Sequence, residues 1–243
     1  MNSAAPQEYW DDIYVRWPLV YKPERVLFKD VFARFCPRGG HCFEVGCYPG
    51  DFLIYLSKTY GYVASGIDLT PRVADELPEH CRRNGVEVGE ILYGDFFAFA
   101  PSRGYDVVCS FGFIEHFVDC EAVIERHVRL LAKGGVLFIS VPNFRWIQFC
   151  LHWLLDRPNL RRHVTDAMSL SRWRRCVESL GLRVVEDGYY QRFGFWYESP
   201  TSDRLISFSR RHIARGARRI AGAEPWPPNR FTSPFMYLVA TKA

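Results

Sequence analysis

Short apolar segments alternate with helical segments from residue 41 to residue 141, and this rhythm constrains the fold more than any other feature of the sequence. The strand-like segments are, in chain order, HCFEV, YVASGID, EILYG, YDVVCSF and VLFISV. Helical segments such as DFLIYLSKTYG and CEAVIERHVRLL lie between them. Short strands joined by helical crossovers predict a buried parallel sheet with helices on both faces, which is the doubly wound α/β architecture.

The pattern changes after Asn143. An aromatic stretch, FRWIQFCLHWLLDRP, is followed by a helix at about 169–180. Two further strands, LRVVEDGYYQRFGFW and SPFMYLVATKA, are separated by a basic helical segment. A strand, an excursion and a second strand indicate an antiparallel pair. We therefore expect a Rossmann-like seven-stranded sheet, mostly parallel with a reversed C-terminal edge strand, plus helical cap insertions.

No internal repeat or low-complexity linker divides the chain, so we expect one domain over residues 1–243. Its expected parts are an N-terminal helical region (1–40), a sheet core (41–143), a cap insertion (144–168) and a basic helical insertion (199–230). The 48% hydrophobic content is ample for a core in a chain of 243 residues.

Composition excludes several classes of protein. No apolar run approaches the roughly 18 residues of a spanning helix, and residues 1–20 do not read as a secretion signal. The eight cysteines are scattered, without a pair or cluster at metal-ligand spacing, so we expect reduced thiols in a cytoplasmic protein and no metal. The net charge of +4 is too small to indicate nucleic acid, and no single-strand binding platform is visible.

The loop after the first strand, FEVGCYPGD, raises the question of a cofactor. Gly46 and Gly50 let the backbone turn and approach a ligand closely. The dinucleotide pattern G-x-G-x-x-G is absent, because Tyr48 and Pro49 stand where a second glycine is usual. Acids flank the loop, and acids suit a cationic ligand better than a pyrophosphate. The loop therefore disfavours a nicotinamide-dependent oxidoreductase.

Two more acids fall at strand ends, where an open α/β sheet binds its ligands. Asp68 ends the second strand and can accept hydrogen bonds from both hydroxyls of a ribose. Asp95 and Phe96 follow the third strand and offer an acceptor for an amine and a ring to pack on a base. Adenosine is compatible with this set.

The ordered segments FEVGCYPG, GIDLT, GDFFAF, YDVVCSFGFIEHFVD and LAKGGVLFISVPN resemble the class I S-adenosylmethionine (SAM)-dependent methyltransferases over residues 41–143. The resemblance implies SAM as cofactor. It implies that Glu44, Gly46 and Gly50 form the loop around the methionine part and that Asp68 holds the ribose. It also implies that Leu69, Asp95 and Phe96 contact the adenine, and that Cys47 and Phe111 belong to the cofactor-binding residues.

Methyl transfer mainly requires alignment, and a hydroxyl acceptor also benefits from a general base. His116 is the first candidate, because its stretch FIEHFVD is similar to the base-carrying region of small-molecule O-methyltransferases and to the EHxxD stretch of ubiquinone-type enzymes. His163 is the second candidate, since it follows the aromatic insertion that should roof the crevice. His152 is expected to be a packed core residue.

The spacing of Trp146, Phe149 and Trp153 predicts one buried helix face. The basic segment DRLISFSRRHIARGARRIAG places Arg211, Arg215 and Arg218 on one helical face. The simpler interpretation of that face is a solvated surface. Two more specific interpretations are contact with an anionic membrane through Arg211 to Arg219, and recognition of an anionic or lipid-linked acceptor.

The sequence favours O-methylation of a small molecule such as a sugar, a quinone precursor or a secondary metabolite. Two alternatives stay open. One is N-methylation on the same fold, and the other is a cofactor-binding scaffold without catalysis.

Overall fold

The computed structural model describes residues 3–16, 19–199, 201–222 and 226–243. The strands found there are β1 (His41–Val45), β2 (Val63–Asp68), β3 (Val88–Tyr93), β4 (Tyr105–Phe111), β5 (Leu131–Pro142), β6 (Leu182–Tyr190) and β7 (Phe235–Lys242). The α-helices of the same residues are α1 (Gln7–Arg16), α2 (Lys29–Phe35), α3 (Asp51–Tyr60), α4 (Arg72–Arg83), α5 (Cys120–Leu130), α6 (Trp146–Leu155), α7 (Arg157–Arg161), α8 (Leu170–Ser179) and α9 (Arg204–Gly222).

The described strands form one seven-stranded sheet in the order β3-β2-β1-β4-β5-β7-β6. β1 to β5 pair in parallel, and β7 runs antiparallel to both β5 and β6. The predicted fold class is confirmed, including the reversed C-terminal strand. That strand lies one position in from the edge, because β6 pairs with its outer side. The strand order reverses between β1 and β4, which is where such sheets bind ligands.

Side chains alternate between the two faces of the sheet. On β4, Val108 belongs to the core layer that also contains Trp173 of α8, whereas Val107 and Cys109 belong to the opposite layer with Phe32 of α2. Both faces of the central strands are thus covered by helices, so the strands read as nearly continuous apolar runs.

One element differs in length from the sequence prediction. β6 stops at Tyr190, where the strand was expected to continue to Trp196, because Gln191 takes a left-handed conformation (φ 58°) that ends the extended chain. α4 continues through Pro78 to Arg83. Its apolar side, including Leu77 and Cys81, is buried, and this packing outweighs the hydrogen bond lost at the proline.

The predicted buried face of α6 is wrong. Trp146, Phe149 and Trp153 are 51%, 41% and 50% exposed. The buried side of the helix instead carries Gln148 and His152, both fully inaccessible to solvent. Periodicity located the apolar stripe correctly, but it does not tell which side of a helix faces the protein.

Polar groups attach α6 to the rest of the chain. The side-chain amide of Gln148 donates to the carbonyl oxygens of Gly194 (2.7 Å) and Thr232 (3.0 Å). His152 packs against Phe144 and Trp196, so its predicted place in the core is confirmed. Hydrogen bonds to a neighbouring segment therefore decide which face of α6 points inward.

A buried ion pair joins α6 to α9. Asp156 accepts from Arg210 Nη2 (3.2 Å) and from the backbone N–H groups of Glu198 (2.8 Å) and Ser199 (3.3 Å). Arg210 also donates to the carbonyl oxygens of Leu155 and Ser199, both at 2.6 Å. All these groups are hydrogen-bonded, which is what a buried pair requires.

The predicted basic helix is confirmed as α9, with Arg211 and Arg215 exposed. The side chain of Arg218 lies outside the described part of the chain. Asp203 accepts from the backbone N–H groups of Leu205 and Ile206, so it caps the helix.

Replacing Asp156 with Ala should lower the free energy of unfolding by about 3–5 kcal/mol, because the Arg210 charge would stay buried without its carboxylate. Urea denaturation measures the change. Asp203→Ala is the matched control, since it removes an exposed capping carboxylate and should cost about 1 kcal/mol. Equal, small losses in both variants would contradict a structural role for the buried pair.

Candidate functional site

A cavity of about 800 Å³ opens at the carboxyl ends of β1, β2 and β4. All the cofactor-binding residues predicted from the sequence line it, together with both predicted catalytic histidines. They are Glu44, Gly46, Cys47, Gly50, Asp68, Leu69, Asp95, Phe96, Phe111, His116 and His163. The topology of the sheet brings these residues together although 119 positions (163 minus 44) separate the first from the last.

The loop from Gly46 to Gly50 forms one wall of the cavity. Gly46 has φ 71°, and a Cβ there would lie 2.9 Å from the ring of Phe113. Gly50 has φ 99° and directly precedes α3. Both positions need glycine, one for a close approach to an aromatic ring and both for the left-handed backbone. Tyr48 and Pro49 between them are joined by a cis peptide bond.

Asp68 connects this loop to the end of β2. Its carboxylate accepts from the backbone N–H groups of Tyr48 (3.1 Å) and Thr70 (2.9 Å). Burial raises the pKa of Asp68 to about 6, although those backbone hydrogen bonds act in the opposite direction. A carboxylate offers about four acceptor positions, so two bound N–H groups leave capacity for a ligand.

Glu44 is a buried carboxyl group on the cavity wall. Its Oε2 has no hydrogen-bond partner within the described chain. Burial raises the pKa of Glu44 well above its usual range, and the nearby Cys42 and Asp68 act in the same direction. A cationic or hydrogen-bond-donating ligand would satisfy this oxygen and favour the ionised carboxylate.

The remaining predicted residues surround a second part of the cavity. Leu69 is exposed at its rim, and Phe111 stacks on Phe52 with 3.7 Å between ring centroids. Asp95 is exposed and accepts from the backbone N–H of Phe97 at 2.9 Å. Phe96 is buried, with its ring 5.0 Å from that of His127. This part of the wall presents apolar surface and one available carboxylate.

His116 and His163 face each other at the other end of the cavity, with ring centroids 4.7 Å apart. Nδ1 of His116 lies 2.8 Å from the carbonyl oxygen of Arg162, and Nδ1 of His163 lies 2.8 Å from that of Asn159. A carbonyl only accepts, so these contacts assign the proton of each ring to Nδ1 and leave Nε2 with a lone pair. Burial lowers the pKa of His116 to about 4 and that of His163 to about 3.

Glu115 lies beside the two histidines. Both of its carboxyl oxygens are buried without a hydrogen-bond partner among the described residues, and Oε1 is 4.0 Å from Nε2 of His116. Burial raises the pKa of Glu115 to about 8. One ligand atom from each of Glu115, His116 and His163 lies within 4.8 Å of the others, so this cluster could hold a divalent metal ion.

Helix α1 covers this end of the cavity. The ring of Trp10 lies edge-on to His116 with 5.3 Å between centroids, and Tyr14 contacts Tyr48 at 4.8 Å. The backbone N–H of Ala4 donates to the carbonyl oxygen of His116 at 2.7 Å. The segment before β1 therefore forms part of the roof.

A second set of contacts anchors α1. The hydroxyl of Tyr9 donates to Glu198 at 2.9 Å, and the Arg162 guanidinium lies 3.7 Å from the centre of the Tyr9 ring. Arg162 and Glu198 belong to the segments around α7 and before α9. The roof thus combines three parts of the sequence.

The match to a family model decides which family this chain belongs to. Residues 22–187 match the family model described as a methyltransferase domain, which is more than half of the chain. The chain belongs to the methyltransferase-domain family.

Similar proteins agree with this membership. Over 143 residues the chain is 29% identical to the ubiquinone biosynthesis O-methyltransferase of Xanthomonas axonopodis pv. citri and 32% identical to that of Methylococcus capsulatus. These matches cover 58% of this chain, and the chain spans 59% of the length of each relative. A SAM-dependent methyltransferase from Thiobacillus denitrificans, solved with S-adenosylhomocysteine, aligns over 98% of this chain and 99% of its own at 16% identity with a TM-score of 0.61. That last likeness concerns the fold.

The residues present in this methyltransferase domain fit SAM. The unpaired Glu44 oxygen suits a donating cationic group, and the two glycines leave room for close approach. Asp68 retains acceptor positions for ribose hydroxyls.

Sequence reasoning missed Glu115 and the contribution of α1. Glu115 is adjacent to a predicted base in FIEHFVD, which was a usable signal. Its partner His163 is 48 residues further on (163 minus 115), so spacing could not group them. The apolar side of α1, which Trp10 and Tyr14 form, indicates that this helix packs on the rest of the protein. It does not indicate which part of the protein the helix covers.

The raised pKa of Glu115 predicts a pH-dependent stability. The folded protein keeps the Glu115 proton up to about pH 8, whereas the unfolded chain releases it near pH 4.5. Stability from this group is therefore present at low pH and lost as pH rises toward 8. Relative to Glu115→Gln, the wild type should become progressively less stable between about pH 5 and pH 8.

Urea denaturation of both proteins across this range tests the prediction. The lowered pKa values of His116 and His163 act with the opposite sign, but both proteins contain these histidines, so the comparison removes their contribution. A constant difference between the two proteins would show that Glu115 does not hold a proton in the folded state.

Proposed function

We propose that this protein is a SAM-dependent methyltransferase that methylates a small molecule, preferably at a hydroxyl group. The observation that carries the proposal is a single cavity with two chemically different ends. Buried carboxyl groups line one end, and two neutral histidines with Nε2 lone pairs lie at the other. Membership of the methyltransferase-domain family supports the reaction, and relatives named O-methyltransferases support the hydroxyl.

Residues of the acidic end would hold the cofactor. Glu44 and the loop around Gly46, Cys47 and Gly50 would surround its methionine part, and Asp68 would accept from the ribose. Leu69, Asp95, Phe96 and Phe111 would surround the adenine side. When bound, SAM supplies an electrophilic methyl group for in-line transfer to a nucleophile.

His116 is the proposed general base. Its Nδ1 proton is held by the Arg162 carbonyl oxygen, so Nε2 can take the proton of the acceptor hydroxyl. The lowered pKa keeps the ring neutral and able to accept at neutral pH. The Glu115 carboxyl group lies 4.0 Å from this Nε2, and the imidazolium that forms there would lower the pKa of Glu115. His163 is the second candidate for the base.

The acceptor end of the cavity is largely aromatic. Phe113, Phe117, Phe144 and Trp196 contribute to its lining, and α1 closes over it. Such walls suit a flat, partly apolar acceptor and keep water from the reacting atoms. We favour a hydroxylated aromatic compound such as a quinone precursor, and a lipid-linked or anionic acceptor fits the arginines of α9.

We further propose that residues 1–243 act as one domain, since strands from residue 41 to residue 242 share one sheet. A cytoplasmic site of action fits the cysteines, because Cys42 and Cys109 lie in the core as free thiols.

Asp68→Ala should weaken binding of S-adenosylhomocysteine by about tenfold or more, because ribose hydroxyls lose their acceptor. Isothermal titration measures this, with NADH as the control ligand and Asp203→Ala as the control variant. The wild-type affinity should also fall below about pH 6, where Asp68 takes up its proton, and Asp68→Asn should lose that dependence. Unchanged affinity in Asp68→Ala would refute the ribose assignment.

His116→Ala should lower the turnover number by about a hundredfold or more, while S-adenosylhomocysteine affinity stays at the wild-type value. A dihydroxybenzoate serves as the hydroxyl probe, and methyl transfer from labelled SAM is measured. An aminobenzoate in parallel separates O- from N-methylation. His163→Ala is the matched variant: if it alone abolishes turnover, the base is His163. Cofactor binding without transfer to either probe would favour the scaffold alternative.

A further inference from the structure

Helix α6 has its polar and apolar sides reversed relative to an ordinary surface helix. Its exposed residues are all apolar or weakly polar: Trp146, Ile147, Phe149, Cys150, Trp153 and Leu154. At 3.6 residues per turn they cover an arc of about 160°. The buried side carries Gln148 and His152 together with Leu155. Single exposed apolar residues are common on proteins, but a continuous outward arc with two Trp marks an interaction surface.

Arginines surround this apolar arc. The guanidinium of Arg157 lies 5.3 Å from the centre of the Trp153 ring, and that of Arg230 lies 5.7 Å from Trp146 and 4.6 Å from Phe231. Phe231 in turn contacts Trp146 with 5.1 Å between ring centroids and is itself exposed. Aromatic rings beside cationic groups are typical of side chains that lie at a membrane interface.

Helix α9 extends the surface. It packs beside α6 through a small apolar cluster that contains Leu155 and Ala214. Its outward side combines apolar Leu205 and Phe208 with Arg204, Arg211, Arg215 and Arg219, all of them exposed. The apolar arc of α6 and the cationic side of α9 therefore lie on two helices that pack against each other.

The charge of this region is strongly one-sided. Residues 144–168 and 201–222 contain ten arginines and three acids. Of the acids, Asp156 is buried against Arg210, Asp203 caps α9 and Asp166 is exposed. The exposed arginines of α7 and α9 form no ion pair with a carboxylate in the described residues. Unpaired cations around an apolar face are complementary to anionic lipid headgroups.

We propose that α6 and the outward side of α9 form a docking surface for an anionic lipid bilayer. The ten residues of α6 span about 15 Å, so the helix would lie in the plane of the headgroups with its rings in the acyl boundary. Among the described residues no helix is long and apolar enough to cross a membrane. The surface is therefore a peripheral one.

The docking surface adjoins the wall of the cavity. Phe144, two residues before α6 in the chain, lines the cavity, and so do Asn159 and His163, which follow the helix. Docking would bring the acceptor end of the cavity to the lipid surface. This placement assigns a membrane-resident, hydroxylated acceptor to the acceptor end of the cavity, and the assignment rests on the proposed function.

Vesicle flotation of the full chain tests the surface directly. Vesicles of phosphatidylcholine with added phosphatidylglycerol should bind the wild-type protein, and pure phosphatidylcholine vesicles or high salt should weaken binding. Trp153→Gln/Leu154→Gln should lower the partition coefficient about tenfold or more, because two exposed apolar groups lose their place in the acyl boundary. Tyr93→Gln/Val20→Gln, which changes exposed apolar residues elsewhere, should bind like the wild type.

The charge contribution has its own matched pair of variants. Arg204→Gln/Arg211→Gln/Arg215→Gln should lose the preference for anionic vesicles. Arg38→Gln/Arg175→Gln/Arg183→Gln removes the same number of exposed charges outside the surface and should keep that preference. Equal losses in the two triple variants would overturn the assignment to α9 and indicate a general effect of net charge.

Three results would overturn the proposal. The first is that the wild type does not bind anionic vesicles, and the second is that the α6 variant binds them as well as the wild type does. The third is that the wild type forms a dimer, that the α6 substitutions abolish this dimer, and that neither protein binds vesicles. The last would assign the surface to a second copy of the chain. S-adenosylhomocysteine titration of the same proteins is independent: vesicle binding without cofactor binding would refute the proposed function and leave the docking surface in place.

Discussion

The shape of the cavity depends on two hydrogen bonds to one carboxylate. Asp68, at the end of β2, accepts from the backbone of Tyr48 in the loop after β1 and from Thr70 before α4. The carboxylate thereby holds three elements around the point where the strand order reverses. The same group sits deep enough for its pKa to rise to about 6. It organises the loop and remains able to receive a ligand.

Burial acts on the two ends of the cavity with opposite consequences. Removing a carboxyl group from water raises its pKa, as at Glu44 and Asp68, so these groups favour a bound proton or a cationic partner. Removing an imidazole from water lowers its pKa, so His116 and His163 stay neutral and able to accept a proton. One physical effect therefore prepares an acidic end for binding and a neutral end for proton transfer.

The inward side of helix α6 is determined differently from the inward sides of the helices that cover the sheet. Around the sheet, apolar stripes face inward and are covered from both sides. In α6 the hydrogen bonds of Gln148 draw the polar side inward, and the buried Asp156–Arg210 pair fixes the neighbouring α9. With these contacts formed, the aromatic side of α6 is left outside. The apolar surface beside the cavity is thus a consequence of how the polar groups are bonded.

The sheet, its doubly wound connectivity and the residues at the strand ends could all be predicted from the sequence. Those features depend on local periodicity and on the rule that parallel strands share a carboxyl edge, so Glu44, Asp68 and Asp95 could be placed at one crevice. Tertiary structure alone decided three further points. It decided that α1 covers the cavity, that Glu115 and His163 meet across 48 positions (163 minus 115), and that α6 faces outward. Each depends on contacts between segments far apart in the chain, and a pattern within one segment carries no information about its partner.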